Sequence, residues 1–433
     1  LQIKQLFNSR QIKTAAIGSL GIKFFSAFFA FLSSILLARI LGVEQFGIYI
    51  LAFTTSILLS VPVSLGLPTL ITRYISKYEV SKDDAAIKGL LIRSNQIVIA
   101  TTALVLLVAG LSYLLWWKNL DPMLVKTIWV SFLLLPLIAL GSLRAAALRG
   151  LRYIILGQLP DTLLRNFLLC LGIGIYYLLG FELSPVIAMS IHAIAAAIAY
   201  IVGYFFLRKK LLSRLRVIVP KYHNKEWITQ AIPFSLNSGV QVIKSRLLTY
   251  ILAIFGSLEA VAIFDVALRA AALVAFTLDA LNTAIAPYIS KAFENDNFIQ
   301  LKRIVKKTSR IIFFFAIPVV LVFIFGGKPL LVFLFGIEYT ASYIPLVLLC
   351  IGQLVNAATG SVGLVLNMTG RQAYYTKVTI FVTLINLIVS IPLVILYDVI
   401  GAASIHAGLL IVQNIILVWF VKREMKINTT VFQ

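Results

Sequence analysis

IVIATTALVLLVAGLSYLL, residues Ile97–Leu115, is an uninterrupted run without one charged side chain. Wound as a helix at about 1.5 Å per residue, it is long enough to cross the roughly 30 Å hydrocarbon core of a bilayer. It is apolar all round, where a helix on the surface of a soluble protein would keep a polar face. The same reading extends in both directions. Apolar runs between charged or turn-forming residues recur near 14–40, 46–71, 87–115, 124–148, 153–179, 186–207, 228–255, 259–289, 311–325, 343–366, 375–396 and 399–421. These runs take up nearly all of the 433 residues, of which 61% are apolar and 12% charged; a soluble domain carries about 25% charged residues. The expected fold is an all-α integral membrane protein of about 12 transmembrane helices, in two six-helix bundles around a central cavity. No soluble domain of any size fits.

The formal net charge of +22 would point to nucleic acid in a soluble chain. Here most of the Lys and Arg residues fall on alternate loops, so the charge reads as topology and no nucleic-acid partner is expected. One set of loops carries Arg73, Lys77, Lys82, Lys88 and Arg93, then Arg144, Arg149 and Arg152, then Arg208 to Lys225, Lys291 to Arg310, Arg371 with Lys377, and Lys422 to Lys426, besides Lys4, Arg10 and Lys13. The opposite loops hold Lys118, Lys126 and Lys328, next to the interface-type pair Trp116-Trp117. Both termini are therefore expected in the cytoplasm. The longest basic connection divides the chain into a bundle at 1–207, a linker at 208–225 and a bundle at 226–433. Gly42 and Gly256, and Tyr74-Ile75-Ser76-Lys77 and Tyr288-Ile289-Ser290-Lys291, are related by the same offset, so the halves read as copies of one unit. Repeats with a mid-bilayer site between them are a common plan of alternating-access transporters.

Six cations remain inside or at the edges of the spans: Lys23, Arg39, Arg165, Lys244, Arg246 and Arg269. A basic side chain at a helix centre costs about 2.5–3.5 kcal/mol on translocon scales, so a wet cavity is a better place for several of them than lipid. Helical spacing puts Ser19, Lys23 and Ser26 on one face of span one, and Gln158, Asp161 and Arg165 on one face of span five. Asn237, Gln241 and Lys244 share a face of span seven, and Asp265, Arg269 and Asp279 form a stripe on span eight. Asp161 with Arg165, and Asp265 with Arg269, stand equally well as local i, i+4 ion pairs. Lys23, Lys244 and Arg246 have no acidic neighbour in sequence, and Arg39 reads as a side chain snorkelling to the interface. A surplus of buried positive charge favours a phosphate or pyrophosphate, whose oxygens accept charge-assisted hydrogen bonds. The expected anion-binding set is Lys23, Arg165, Lys244, Arg246 and Arg269. Any coupling to H+ or Na+ would fall to Asp161, Asp265 or Asp279. Pro62 and Pro68 around Gly66, with Pro136, Pro160, Pro233, Pro318 and Pro392, read either as static kinks or as hinges. His192 and His406 read as packing residues, Cys170 and Cys350 as free thiols, and no metal box, phosphate-binding Gly loop or nucleophile motif appears, so neither cofactor nor enzyme activity is expected.

Ala38-Arg39-Ile40-Leu41-Gly42-Val43-Glu44-Gln45-Phe46-Gly47-Ile48-Tyr49 resembles the first-loop signature of Wzx-type bacterial polysaccharide flippases, a branch of the multidrug/oligosaccharidyl-lipid/polysaccharide superfamily. Phe335-Gly336-Ile337-Glu338-Tyr339-Thr340-Ala341-Ser342 is similar to the FG-x-x-Y-x-x-A segment that precedes span ten in that family. The resemblance implies a flippase that moves undecaprenyl-pyrophosphate-linked oligosaccharide from the inner to the outer leaflet for surface polysaccharide biosynthesis, in company with glycosyltransferases and a polysaccharide polymerase as well as membrane lipids. It also implies that Lys23, Arg246 and Arg269 hold the pyrophosphate or an acidic sugar. Ser245 stands where the family often has Asp before the arginine matching Arg246, which removes that residue from any coupling role. The alternatives are an ion-coupled drug antiporter of the same superfamily, which would use buried acids without surplus cations, and a membrane polymerase or ligase, which would need a long external loop.

Overall fold

Lipid offers no partner for a backbone N–H or C=O, so a spanning chain must satisfy its polar groups within each segment. The computed structural model describes residues 9–116 and 120–432, and every element among them is helical. Lys4, Trp117 and Lys118 lie outside the described residues, as do the side chains of Arg10, Lys13 and Trp116. The chain runs through α1 (Ser9–Ser64), α2 (Leu67–Ser81), α3 (Asp84–Trp116), α4 (Pro122–Ser131), α5 (Leu134–Gly150), α6 (Ile154–Leu159), α7 (Arg165–Leu178) and α8 (Pro185–Leu207). It continues through α9 (Asn224–Phe255), α10 (Leu258–Glu294), α11 (Phe298–Phe335), α12 (Tyr343–Thr359), α13 (Val362–Met368) and α14 (Gln372–Met425).

Among the described residues, ten helical stretches are long and apolar enough to cross a membrane. Two of them are double. α1, with 56 residues, breaks at Gly42 (φ 74°, ψ 173°), and α14, with 54, breaks at Asp398 (φ 46°, ψ −127°). Each would be about 80 Å long if straight, more than twice a bilayer core. Counted at the breaks, the spans are the expected twelve. Their ends differ from the sequence reading where a helix protrudes beyond the apolar run: α11 is 38 residues long against an expected 15, because Lys302 to Arg310 and Lys328 continue the same helix. Charge marks where lipid ends, not where a helix ends.

The chain packs as two compact units, Leu1–Arg246 and Leu247–Gln433. In the first, the core is built around Leu70, Ile71 and Ile75 of α2, Ile87 and Leu90 of α3, Leu143 and Ala147 of α5, and Trp227 of α9, all buried. Small residues let the backbones close up: a Cβ on Gly150 of α5 would lie 2.9 Å from Ile75 Cβ and 3.1 Å from Thr72 O. Ser76 Oγ donates to Gly150 O (2.8 Å) and Thr72 Oγ1 to Ala146 O (3.2 Å) across the same contact, the small-residue packing expected where lipid gives no hydrophobic drive. Span four is interrupted between α4 and α5. Pro136 has no N–H to give the carbonyl of Phe132, and Ser56 of α1 donates to Ser131 O (2.7 Å) at the interruption.

Residues 213–223 form a strap across the ends of α2 and α3. Arg214 bonds Glu79 and Asp84 (each 2.7 Å), Lys88 Nζ donates to Ile218 O (2.7 Å), and Lys221 N–H donates to Ala85 O (2.9 Å). A Cβ on Gly89 would fall 1.9 Å from Lys221 O, so only glycine lets the strap lie this close. The Arg214 guanidinium holds the Glu79 carboxyl below the usual glutamate range, against the opposing effect of partial burial.

The second unit is α10 to α14 with the end of α9. Gly352 of α12 packs on Ala407 of α14, where a Cβ would meet Ala407 Cα at 3.0 Å, and Asn414 donates to Asn356 Oδ1 (3.1 Å) alongside. The Phe335–Ser342 segment anchors this unit: Tyr339 is buried against Phe335, and Ser342 Oγ donates to Ile263 O of α10 (3.0 Å).

Candidate functional site

Span five is assembled from α6, a π-helical turn at Pro160–Leu164, and α7. Pro160 has no N–H with which to continue the i→i−4 ladder, and the Arg165 N–H reaches back five residues to Pro160 O. A π turn takes in one extra residue and so shifts the register of everything after it by about 100° relative to an α-helix. Asp161 and Arg165, four residues apart, form no ion pair. Asp161 turns instead to Arg144 of α5, and the two form a salt bridge.

Arg144 is not the loop cation that its place in the basic alternation suggests. It lies two turns inside α5 and is 3% exposed. Besides Asp161 it donates from Nη1 to Ala199 O (3.2 Å) and Tyr200 O (3.3 Å) of α8. Two glycines make the room. A Cβ on Gly203 would sit 1.2 Å from Arg144 Nη1, and one on Gly141 would sit 3.0 Å from Asp161 Oδ1. The pair thus ties spans four, five and six together.

Beside it is a cavity of about 240 Å³ lined by Ser142, Arg149, Gln158, Asp161, Thr162 and Arg165, with apolar residues between them. Arg165 makes no ion pair or hydrogen bond among the described residues, and its Nε is buried without a partner. A desolvated guanidinium in that state favours any anion that can enter, since burying a charge unpaired is expensive. Arg149, half-buried, faces the same space. With Asp161 neutralised by Arg144, the two remaining arginines leave the cavity cationic.

The polar stripe of span one meets that of span five. Ser19 Oγ donates to Gln158 Oε1 (2.8 Å), Ser26 Oγ to Thr162 O (3.1 Å), and Asn166 Nδ2 to Ser26 Oγ (3.2 Å). Lys23 lies between the two serines with its side chain exposed. Tyr49, from the first-loop signature, hydrogen-bonds His192 Nδ1 (2.8 Å) in the core, so His192 is a helix contact.

The other expected residues are spread along the chain. Lys244 and Arg246 are half-buried near the middle of α9. Arg269 and Asp265 form the i, i+4 pair that the sequence allowed, with Asp265 6% exposed. Asp279 is exposed on α10, and Arg39 is exposed just before the Gly42 break. Of the expected set, the structure brings Asp161 and Arg165 to one cavity and adds Arg144 and Arg149, which the sequence reading assigned to a loop. The available signal was the Ala-rich stretch around Arg144, which continues an apolar helix to Gly150.

Residues 15–293 match the family model described as polysaccharide biosynthesis protein. The chain is 25% identical over 255 residues to the capsular polysaccharide biosynthesis protein CapF of Staphylococcus aureus, a match that takes in 54% of this chain and 62% of that protein's length. The fold is similar to that of a multidrug resistance MATE family transporter of the MOP superfamily in its inward-facing conformation, with a TM-score of 0.77 at 16% identity over 95% of this chain and 98% of that one. It is likewise similar to the lipid II flippase MurJ in its inward closed conformation, with a TM-score of 0.73 at 14% identity over 94% and 87% of the two chains.

Proposed function

This chain belongs to the polysaccharide biosynthesis protein family, and on that premise we propose that it is a flippase that carries lipid-linked oligosaccharide units across a bacterial plasma membrane by alternating access. The cargo class proposed is an undecaprenyl-pyrophosphate-linked sugar, with both termini of the protein in the cytoplasm. The observation that carries this reading is the cationic cavity of the first unit, where the Arg165 Nε is buried with no hydrogen-bond partner among the described residues and Arg149 adjoins it. A diphosphate or an acidic sugar brings the oxygen acceptors those guanidinium groups lack. Lys23, Lys244, Arg246 and Arg269 are proposed as further headgroup contacts along the transport path.

A drug antiporter working on organic cations is less well supported. It would need carboxylates able to take up the cation or the coupling ion, and Asp161 and Asp265 are each held by an arginine. The test is export of surface polysaccharide in a null strain complemented with Arg165→Gln or Arg149→Gln. Losing one charge-assisted hydrogen bond, worth about 1.5–3 kcal/mol, should reduce export at least about tenfold while leaving membrane levels of the protein normal. Full export by both variants would remove the proposed site.

A further inference from the structure

The first unit holds a second cavity that shares no lining residue with the arginine cavity. It measures about 200 Å³ and lies between α2, α3 and α9. Its walls are apolar, from Leu65, Leu90, Ile97, Trp227, Ile232 and Leu236, and Arg93 is the one charged residue lining it. Arg93 sits in the third turn of α3, close to the strap and its basic residues. Along α9 the cavity runs from Asn224 to Leu236, about 18 Å of helix, slightly more than the thickness of one hydrocarbon leaflet. Ile228, Ile232 and Leu236 recur every fourth residue and are exposed, so this wall opens outward along a single helix face.

Arg93 is fixed in place. Its Nε donates to Asn224 Oδ1 (3.0 Å), its Nη1 to Gln96 Oε1 (3.2 Å), and the Tyr222 ring lies 5.5 Å from its Cζ. A guanidinium has five N–H donors, and the others make no hydrogen bond among the described residues. A positioned cation at the rim of an oily slot one leaflet deep matches a lipid with a negative headgroup. We propose that this cavity holds a resident anionic phospholipid of the surrounding bilayer, one acyl chain in the slot and its phosphate on Arg93. The transported lipid is the less suitable occupant, because the arginine cavity that would hold its headgroup is built from other helices, α5 to α8. The bound chain packs against Trp227 and along Ile228, Ile232 and Leu236, and so braces the start of α9. This inference stands whether or not the cargo assignment does.

Trp227 on the cavity wall supplies the readout. In a variant keeping only this tryptophan, with Trp116, Trp117, Trp129 and Trp419 changed to Phe, brominated-chain phosphatidylglycerol should quench Trp227 at a severalfold lower mole fraction than brominated phosphatidylcholine. Arg93→Gln should abolish that preference. Equal quenching by the two lipids, a preference that survives Arg93→Gln, or displacement of phosphatidylglycerol by an equimolar polyprenyl phosphate would each overturn the proposal. Should the four-fold substitution fail to fold, native mass spectrometry of the unaltered chain and of Arg93→Gln decides the same question: retained phosphatidylglycerol, lost on substitution, supports the site, and no difference between the two overturns it.

Discussion

At the scale of single residues, three arginines of one kind do three different things. Arg144 is paired with Asp161, Arg149 adjoins a cavity, and Arg165 lines the same cavity with its Nε buried and no hydrogen bond or ion pair among the described residues. The difference comes from Pro160, whose missing N–H opens the π turn and sends Asp161 to Arg144. Asp161→Asn should therefore destabilise the protein by about 3 kcal/mol, the lower end for breaking a buried pair, because Asp161 is partly open to the cavity. Replacing both partners with apolar residues, Arg144→Met with Asp161→Leu, should recover most of that loss, since no charge is then left unpaired. Denaturant titration of the purified variants checks both outcomes; a double variant no more stable than Asp161→Asn would show that the pair does not act as a unit. Gly203→Ala belongs with this group. Its Cβ would occupy the position of Arg144 Nη1 and must expel the guanidinium, so its effect should approach that of Asp161→Asn.

At the scale of elements, the strap over α2 and α3 depends on close approach and on charge, and each can be tested alone. Gly89→Ala places a methyl group into the Lys221 carbonyl, so the 213–223 segment should lift and be cut by trypsin at Arg214, Arg216 and Lys221 several times faster than in the native chain. An unchanged rate would mean that the contact does not hold the strap. The Glu79–Arg214 link sets a pH limit. Because the folded-state carboxyl is held below its ordinary value, the link contributes stability above the unfolded glutamate value of about 4.3 and loses it as pH falls through the lower folded value. Spin labels at Lys82→Cys and Arg216→Cys should give one narrow distance at pH 7 that broadens only once the pH has fallen below the ordinary glutamate range. None of this was legible in the sequence, where 208–225 read as a basic linker, because a strap is defined by what it lies on. The spans were legible, since lipid imposes a length and a composition that each segment must meet alone. The polar faces of spans one and five were legible from spacing, but not that they face each other: Ser19 bonds Gln158, and Ser26 bonds the backbone carbonyl of Thr162. Arg144 was missed because a cation near a helix end looks the same whether it turns outward to water or inward to a carboxylate from another span.

At the scale of the whole molecule, sidedness follows from counting cations near the ends of the spans, the positive-inside rule. The stretch that holds Arg208, Lys209 and Lys210 after α8 and the first turns of α11, with Lys302 to Arg310, are basic, whereas the turns beyond α7 and before α4 carry Glu182 and Asp121. Reversing the molecule would require moving more than twenty lysines and arginines across the bilayer against a bias that Asp and Glu scarcely offset. Lys209 and Glu182 lie at opposite ends of α8 and the turn before it, and both are exposed. In a background with Cys170 and Cys350 replaced by Ser, a membrane-impermeant maleimide applied to intact cells should therefore label Glu182→Cys and leave Lys209→Cys untouched until the membrane is permeabilised. The opposite pattern would place the strap and Arg93 in the outer half of the membrane. The phospholipid slot would then open to the wrong leaflet for its proposed neighbours, and a cargo made from cytoplasmic precursors would have to be received at the end that carries almost no positive charge.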